Sequence, residues 1–273
     1  MVVLNVIAAI FAVLIFLFLI YLLVLLRPSR RIKPSPALLC DYAHRGLHGD
    51  GIPENSLAAF SLACERGYGI ELDVQLSRDG EVMVFHDYTL SRMTRHDGKL
   101  CDLDASALKK LTLTDTDQTI PTCAEVLKLV DGRVPLLVEL KGEDFNTSLC
   151  EKVSQLLSGY RGEYCLESFN PLLIGRMKKL LPHAFRGLLY TNVCRDKKKS
   201  SALNIALTCM ALNAVARPNF IAYNKEYRAA LPVFLTTRLF RAPRFVWTVN
   251  NKDEMETAHR LGEHPIFEKL DEH

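Results

Sequence analysis

Ala43-His44-Arg45-Gly46, Pro53-Glu54-Asn55-Ser56, Glu71-Leu72-Asp73-Val74 and Val84-Phe85-His86-Asp87 follow one another in one stretch, with a turn at Ser77-Arg78-Asp79-Gly80 between the last two. Two histidines, an arginine and several carboxylates thus stand at the ends of short apolar runs, where an α/β scaffold gathers its reactive groups. Glu71 and Asp73 are two apart in the strand-like run Tyr68 to Leu76, so both project to the same side. Neighbouring carboxylates repel, and a bound cation relieves the repulsion; an all-oxygen donor set suits Mg²⁺ or Ca²⁺ rather than zinc. Gly80 allows the chain to reverse, so Glu81 to Phe85 is expected to pair back antiparallel and bring His86 level with Asp73. There it can serve as a general acid or base beside the cation. An isolated Glu-x-Asp usually faces solvent, and a lone strand-end histidine is usually structural. Their clustering with His44 and Arg45 is what points to chemistry.

The four motifs, in this order, resemble those of the glycerophosphodiester phosphodiesterase family, and the likeness extends over nearly everything after the apolar start. The resemblance implies metal-assisted hydrolysis of a glycerophosphodiester to glycerol 3-phosphate and an alcohol. It implies a small insertion near Tyr88 to Thr119, and it permits a substrate-wall role for Trp247, the single tryptophan. Ser56 stands where the family usually has Thr, and the final strand, His264 to Glu268, is abbreviated.

The remaining pattern alternates strands and helices. Strands are expected at Leu38–Ala43, Tyr68–Leu76, Val134–Leu140, Tyr164–Phe169, Phe185–Tyr190, Phe220–Tyr223, Phe245–Val249 and Pro265–Phe267. Helices are expected between them, including one capped by Asn55 or Ser56 and stopped at Gly67, and one over Lys225 to Leu235. Eight parallel strands predict an α/β fold, a (β/α)₈ TIM barrel with a small insertion after the second strand. No Gly-rich dinucleotide turn follows the first strand, which disfavours an open doubly wound sheet.

A barrel should carry further reactive residues at strand ends. Val138-Glu139-Leu140-Lys141 does so: Glu139 can complete a three-carboxylate metal site with Glu71 and Asp73, and Lys141, on the same side, can meet a phosphate oxygen. In the expected mechanism His44 and His86 are the catalytic acid and base, Arg45 and Lys141 bind the phosphate, Glu54 assists, and one divalent cation neutralises the phosphoryl oxygens. Water or a substrate hydroxyl is the nucleophile. The alternatives are a lysophospholipase D or phospholipase-like barrel enzyme acting on membrane lipids, and a catalytically silent membrane-tethered binding protein.

The chain has 273 residues, a formal net charge of +3, 49% hydrophobic residues and 8 cysteines. That length accommodates one large domain plus an anchor. Residues 1–27 are expected to form a transmembrane helix, 28–37 a basic Pro-containing linker, and 38–273 the barrel. From Val2 to Leu26 only Asn5 and Tyr21 interrupt a continuously apolar run, longer than the roughly 20 residues that span a bilayer. A cleavable signal peptide would want a basic start, a shorter apolar core and a small-residue cleavage site. Arg27, Arg30, Arg31 and Lys33 follow the run, so the positive-inside rule predicts a single-pass protein of the cell membrane with its catalytic domain in the cytoplasm. The scattered cysteines, without any Cys-x-x-Cys, fit buried free thiols there. Dispersed basic residues and the lack of a recognition motif exclude a nucleic-acid partner; a glycerophosphodiester or lysolipid and the membrane are the expected ones.

Overall fold

The computed structural model describes residues 1–49, 51–114, 116–142 and 146–268. The last five residues assigned to the barrel domain, 269–273, lie outside them, as does 115 in the insertion.

Among the described residues nine strands form one sheet: β1 (Tyr42–Ala43), β2 (Gly69–Leu76), β3 (Val82–Val84), β4 (Leu136–Leu140), β5 (Tyr164–Glu167), β6 (Phe185–Tyr190), β7 (Phe220–Asn224), β8 (Arg244–Val249) and β9 (His264–Phe267). Each parallel neighbour pairs in chain order, and β1 pairs with both β2 and β9, closing an eight-strand parallel barrel. The remaining strand, β3, is the expected hairpin arm, antiparallel to β2 with Val74 opposite Val84. Phe85 N–H donates to the Asp73 carbonyl at 3.0 Å, so His86 leaves the hairpin just past Asp73.

Two apolar layers hold the barrel. Tyr42, Leu137, Cys165, Phe185, Phe220 and Phe245 fill its interior. Outside, helix residues such as Phe60, Val126, Val153 and Ile174 pack on Ile70, Leu136 and Leu166 of the strands. Burying such a side chain contributes about 1.5–3 kcal/mol, and together these faces set which side of each strand looks inward. Residues 83–120 carry a smaller cluster of their own, Met83, Phe85, Leu90, Leu100, Leu108 and Ile120, seated on β3.

Three expectations about elements are corrected. The first strand is only Tyr42–Ala43, because Ser35 caps a 3₁₀ turn over Pro36–Leu38 and Leu38 turns inward under the barrel. The helix expected over Lys225 to Leu235 is broken into a 3₁₀ turn at Lys225–Tyr227 and a helix that starts at Leu231 with Pro232 in its first turn. Ser56, rather than Asn55, caps the helix Leu57–Arg66, its Oγ accepting from Ala59 N–H; Gly67 ends that helix at φ 74° as expected.

The N-terminal helix spans Val2–Leu26. The segment expected as a linker lies along the barrel: Ser29 N–H donates to the Pro218 carbonyl at 2.7 Å, and Ile32 packs under the interior cluster.

Candidate active site

The site lies where the parallel strands end. β1 stops at Ala43, and Arg45 and Gly46 both take left-handed backbone, at φ 57° and 79°. Gly46 is required there, since a Cβ would sit 2.9 Å from Ala59. This tight turn aims the Arg45 N–H at Glu71 Oε2, 2.8 Å away.

The strand register assembles the acids. Asp73 pairs with Glu139 across β2 and β4, and Glu139 with Glu167 across β4 and β5. All point inward and are buried. Ligand atoms of Glu71, Asp73 and Glu139 lie within 4.8 Å of one another. Lys141 reaches between them, its Nζ 2.9 Å from Glu139 Oε1 and 3.2 Å from Asp73 Oδ1. Asn55, also at positive φ, donates through Nδ2 to Asp73 Oδ2 at 2.9 Å.

Burial raises the Glu71 carboxyl well above its ordinary range, and the charges of Asp73 and Glu139 push it the same way. Glu139 is pushed up to about 7, by burial first, with Lys141 partly opposing. Burial also acts on Asp73, but Lys141, His86 and Arg45 outweigh it and hold that carboxyl well below the usual range. Lys141 loses to burial and gains more from Asp73 and Glu139, so it stays charged. Glu71 Oε1 is buried without a hydrogen bond, and Asp73 Oδ1 has only its ion pair with Lys141. Crowded, partly orphaned carboxylate oxygens are the donor set a hard divalent cation satisfies, so Glu71, Asp73 and Glu139 fit such an ion.

Each histidine is tethered through Nδ1. His44 Nδ1 lies 2.5 Å from Glu268 Oε1, and His86 Nδ1 lies 2.6 Å from Asp87 Oδ1. Donation from Nδ1 to a carboxylate leaves Nε2 as the working nitrogen. His44 Nε2 is 3.9 Å from Glu71 Oε2. Burial lowers the His86 pKa, with Asp73 partly countering and Lys141 and Arg45 adding to the drop, so the ring is neutral near pH 7.

A cavity of about 110 Å³ opens over this cluster, lined by His44, Arg45, His86, Glu139, Glu167 and Trp247 among others. Trp247 stacks edge-on to Phe169, 5.6 Å between centroids, and its Nε1 donates to the Ala222 carbonyl. Two residues expected at the substrate, Glu54 and Lys141, are engaged by charged neighbours. Glu54 is held by Arg45 at 2.9 Å and by Arg92 at 2.6 Å, and Lys141 braces the carboxylates beneath the cavity.

Two acidic residues were missed from the sequence. Glu167 is buried in the cavity wall, and burial together with Glu139 and Asp73 raises its carboxyl well above the ordinary range. Its signal was available: it closes the Tyr164 strand as Glu139 closes its own. Glu268 follows the short last strand and had no such signal, because only barrel closure sets Phe267 beside Ala43.

Fold and site together define a (β/α)₈ barrel with a buried carboxylate centre flanked by two histidines. The family model of the glycerophosphoryl diester phosphodiesterases matches residues 44–268, and this chain belongs to that family. A glycerophosphodiester phosphodiesterase of Caldanaerobacter subterraneus is 37% identical over 159 residues, 54% of this chain and 65% of that protein. This chain thus spans just under two thirds of that relative's length. Glycerophosphodiester phosphodiesterase 1 of Mus musculus is 31% identical, with 83% of this chain and 77% of that one covered. Among solved structures, a glycerophosphodiester phosphodiesterase of Thermotoga maritima superposes with a TM-score of 0.64 at 26% identity, over 84% of this chain and 94% of the other. An Oleispira antarctica phosphodiesterase in complex with the product sn-glycerol-3-phosphate shares the fold, with a TM-score of 0.69 at 24% identity, over 84% and 92%.

Proposed function

We propose that this protein is a metal-dependent phosphodiesterase that hydrolyses glycerophosphodiesters to glycerol 3-phosphate and an alcohol. The observation that carries the reading is the juxtaposition of the Glu71–Asp73–Glu139 cluster with His44 and His86 around one cavity at the barrel mouth. The three carboxylates would hold one divalent cation, Mg²⁺ or Ca²⁺. When bound, it supplies positive charge to the phosphoryl oxygens as negative charge builds there.

The protein's own groups do the rest. Arg45, whose Nε lies buried 3.6 Å from Asp73 Oδ2, lines the cavity and offers its guanidinium charge to the phosphate. His44 and His86, each fixed through Nδ1, use Nε2 to take a proton from the nucleophile and return one to the departing alkoxide. Glu268 and Asp87 hold the rings in orientation. Lys141 keeps Asp73 ionised, and Trp247 with Phe169 forms the apolar side of the cavity. The bond broken joins phosphorus to the alcohol oxygen.

Lysolipids are the second substrate class, favoured by the apolar helix Val2–Ile20. We read that helix as a retained membrane anchor, because Leu26 beyond it is fully buried and its carbonyl accepts from Asn213 Nδ2 at 2.8 Å. The basic residues Arg27, Arg30, Arg31 and Lys33 favour a cytoplasmic barrel. Release of glycerol 3-phosphate from glycerophosphocholine and of lysophosphatidic acid from lysophosphatidylcholine, choline being the alcohol in both, with and without EDTA, tests the assignment. EDTA-sensitive release supports it, and a folded protein inert on both substrates with added Mg²⁺ or Ca²⁺ overturns it.

A further inference from the structure

The anchor does not leave the barrel as a loose tether. Tyr21 donates through its hydroxyl to the Cys209 carbonyl at 2.9 Å, Asn213 Nδ2 donates to the Leu26 carbonyl, and Arg217 Nη1 donates to the Arg27 carbonyl at 3.0 Å. Ser29 N–H reaches the Pro218 carbonyl. These contacts have a direction. Pro218 precedes β7 and lies at the base, where strands begin, whereas the segment running to Cys209 descends from the loop that leaves β6 at the mouth. Followed backwards from Ser29 to Tyr21, the anchor therefore climbs from base towards mouth. Val2–Ile20 continue beyond as 19 residues with none buried. At 1.5 Å per residue they span about 28 Å, close to the ~30 Å of a bilayer core.

We infer that the open end of the barrel faces the bilayer, and that the helix Ala202–Thr208 and the start of the helix Leu231–Leu239, beside the anchor, rest on the lipid surface. The inference rests on reading Val2–Ile20 as the membrane span. The turn that follows the first of these helices meets the second where Thr236 Oγ1 lies 4.0 Å from Met210 Sδ. Leu203 is 58% exposed and Leu231 61%, with Ile205 and Phe234 exposed as well. Single exposed leucines are ordinary on a soluble surface. Here Leu203 and Ile205 shortly precede Cys209, whose carbonyl holds Tyr21 where the free part of the anchor begins.

Charge names the partner. Between 197 and 212, on the mouth side, the sequence has three lysines and no acid. Lys197, Lys198 and Lys199, in the loop that leaves β6 at the mouth, are exposed, and among the described residues none of them makes an ion pair. Exposed apolar side chains flanked by unpaired lysines fit an anionic lipid surface, with the side chains in the acyl boundary and the lysines at head groups. A site mouth held against that surface would receive substrates from the membrane plane.

The test uses the full chain in vesicles of phosphatidylcholine and phosphatidylglycerol carrying acyl-brominated lipids, which quench nearby tryptophan. Leu203→Trp and Phe234→Trp are placed singly in a Trp247→Phe background, with Arg161→Trp, in the loop before β5 at the base, as the distant control. Residues 203 and 234 should each lose about half their emission and 161 almost none, the depth expected for an interfacial helix. If the Trp247→Phe chain does not fold, the same substitutions in the parent report by difference from its own quenching. Flotation separates the two readings. A chain that floats with the vesicles but shows no quenching at 203 and 234 keeps its anchor and loses this docking surface; a chain that does not float loses both.

Discussion

Glu268, at the end of the last strand, holds His44, at the end of the first: Nδ1 and Oε1 are 2.5 Å apart across the seam where the barrel closes. The hydrogen bond from His44, foremost, lowers the Glu268 carboxyl to about 2, with burial opposing. Glu268→Gln should reduce turnover about 10²-fold or more and move the acid limb of the pH profile, because an amide that donates to Nδ1 forces the other tautomer. Turnover and its pH profile unchanged in a folded Glu268→Gln protein would leave the contact structural.

The same pair carries a stability signature. Its folded-state carboxyl is depressed, so its contribution is fully present above the ordinary carboxylate range and is lost as pH falls towards about 2. The wild type should therefore exceed Glu268→Gln in thermal stability at pH 7, and the gap should close by about pH 2. Melting curves in detergent across that window read it directly; a gap that widens in acid refutes the linkage.

His44→Ala and His86→Ala should each lower turnover by about 10²- to 10⁴-fold with the fold intact. A folded His86→Ala protein of near-normal turnover removes that ring from the chemistry.

Glu71→Gln, Asp73→Asn and Glu139→Gln should each weaken Mg²⁺ or Ca²⁺ binding in calorimetric titration, since a neutral amide loses the charge that holds a hard cation. Unchanged affinity in all three would detach the cluster from metal binding.

Lys141→Met removes the cation between Asp73 and Glu139 and leaves buried acids facing one another. It should cost about 3–5 kcal/mol in metal-free protein, the range for breaking a buried pair. Millimolar Mg²⁺ or Ca²⁺ should restore part of that by binding the folded state. Denaturation with and without the ion decides it, and an effect of less than about 1 kcal/mol, the range of an exposed pair, counts against the bracing role.

Cys101 and Cys209 are exposed free thiols. With a cytoplasmic barrel, an impermeant maleimide should label them only after cells are opened. Labelling in intact cells reverses the topology.

Much of this was written locally. Alternation of apolar runs with helical spacing determined an eight-strand parallel barrel, because each element's buried face is fixed by its own period. Parity alone put Glu71 with Asp73 and Glu139 with Lys141, and Gly80 fixed the hairpin that brings His86 to the site. The length and apolarity of Val2 to Leu26 marked a membrane-spanning candidate without reference to any neighbour. Tertiary structure decided what depends on distant segments meeting. Pairing of β1 with β9 gave His44 its Glu268, and the register of β4 with β5 added Glu167 to the acids. It also turned Lys141 from the mouth to the cluster beneath, since buried carboxylates compete for its charge more strongly than solvent does. The docking of Tyr21–Leu26 on the segment 209–217, which sets the anchor's direction, lay beyond any local pattern, because its hydrogen bonds join residues almost 190 positions apart.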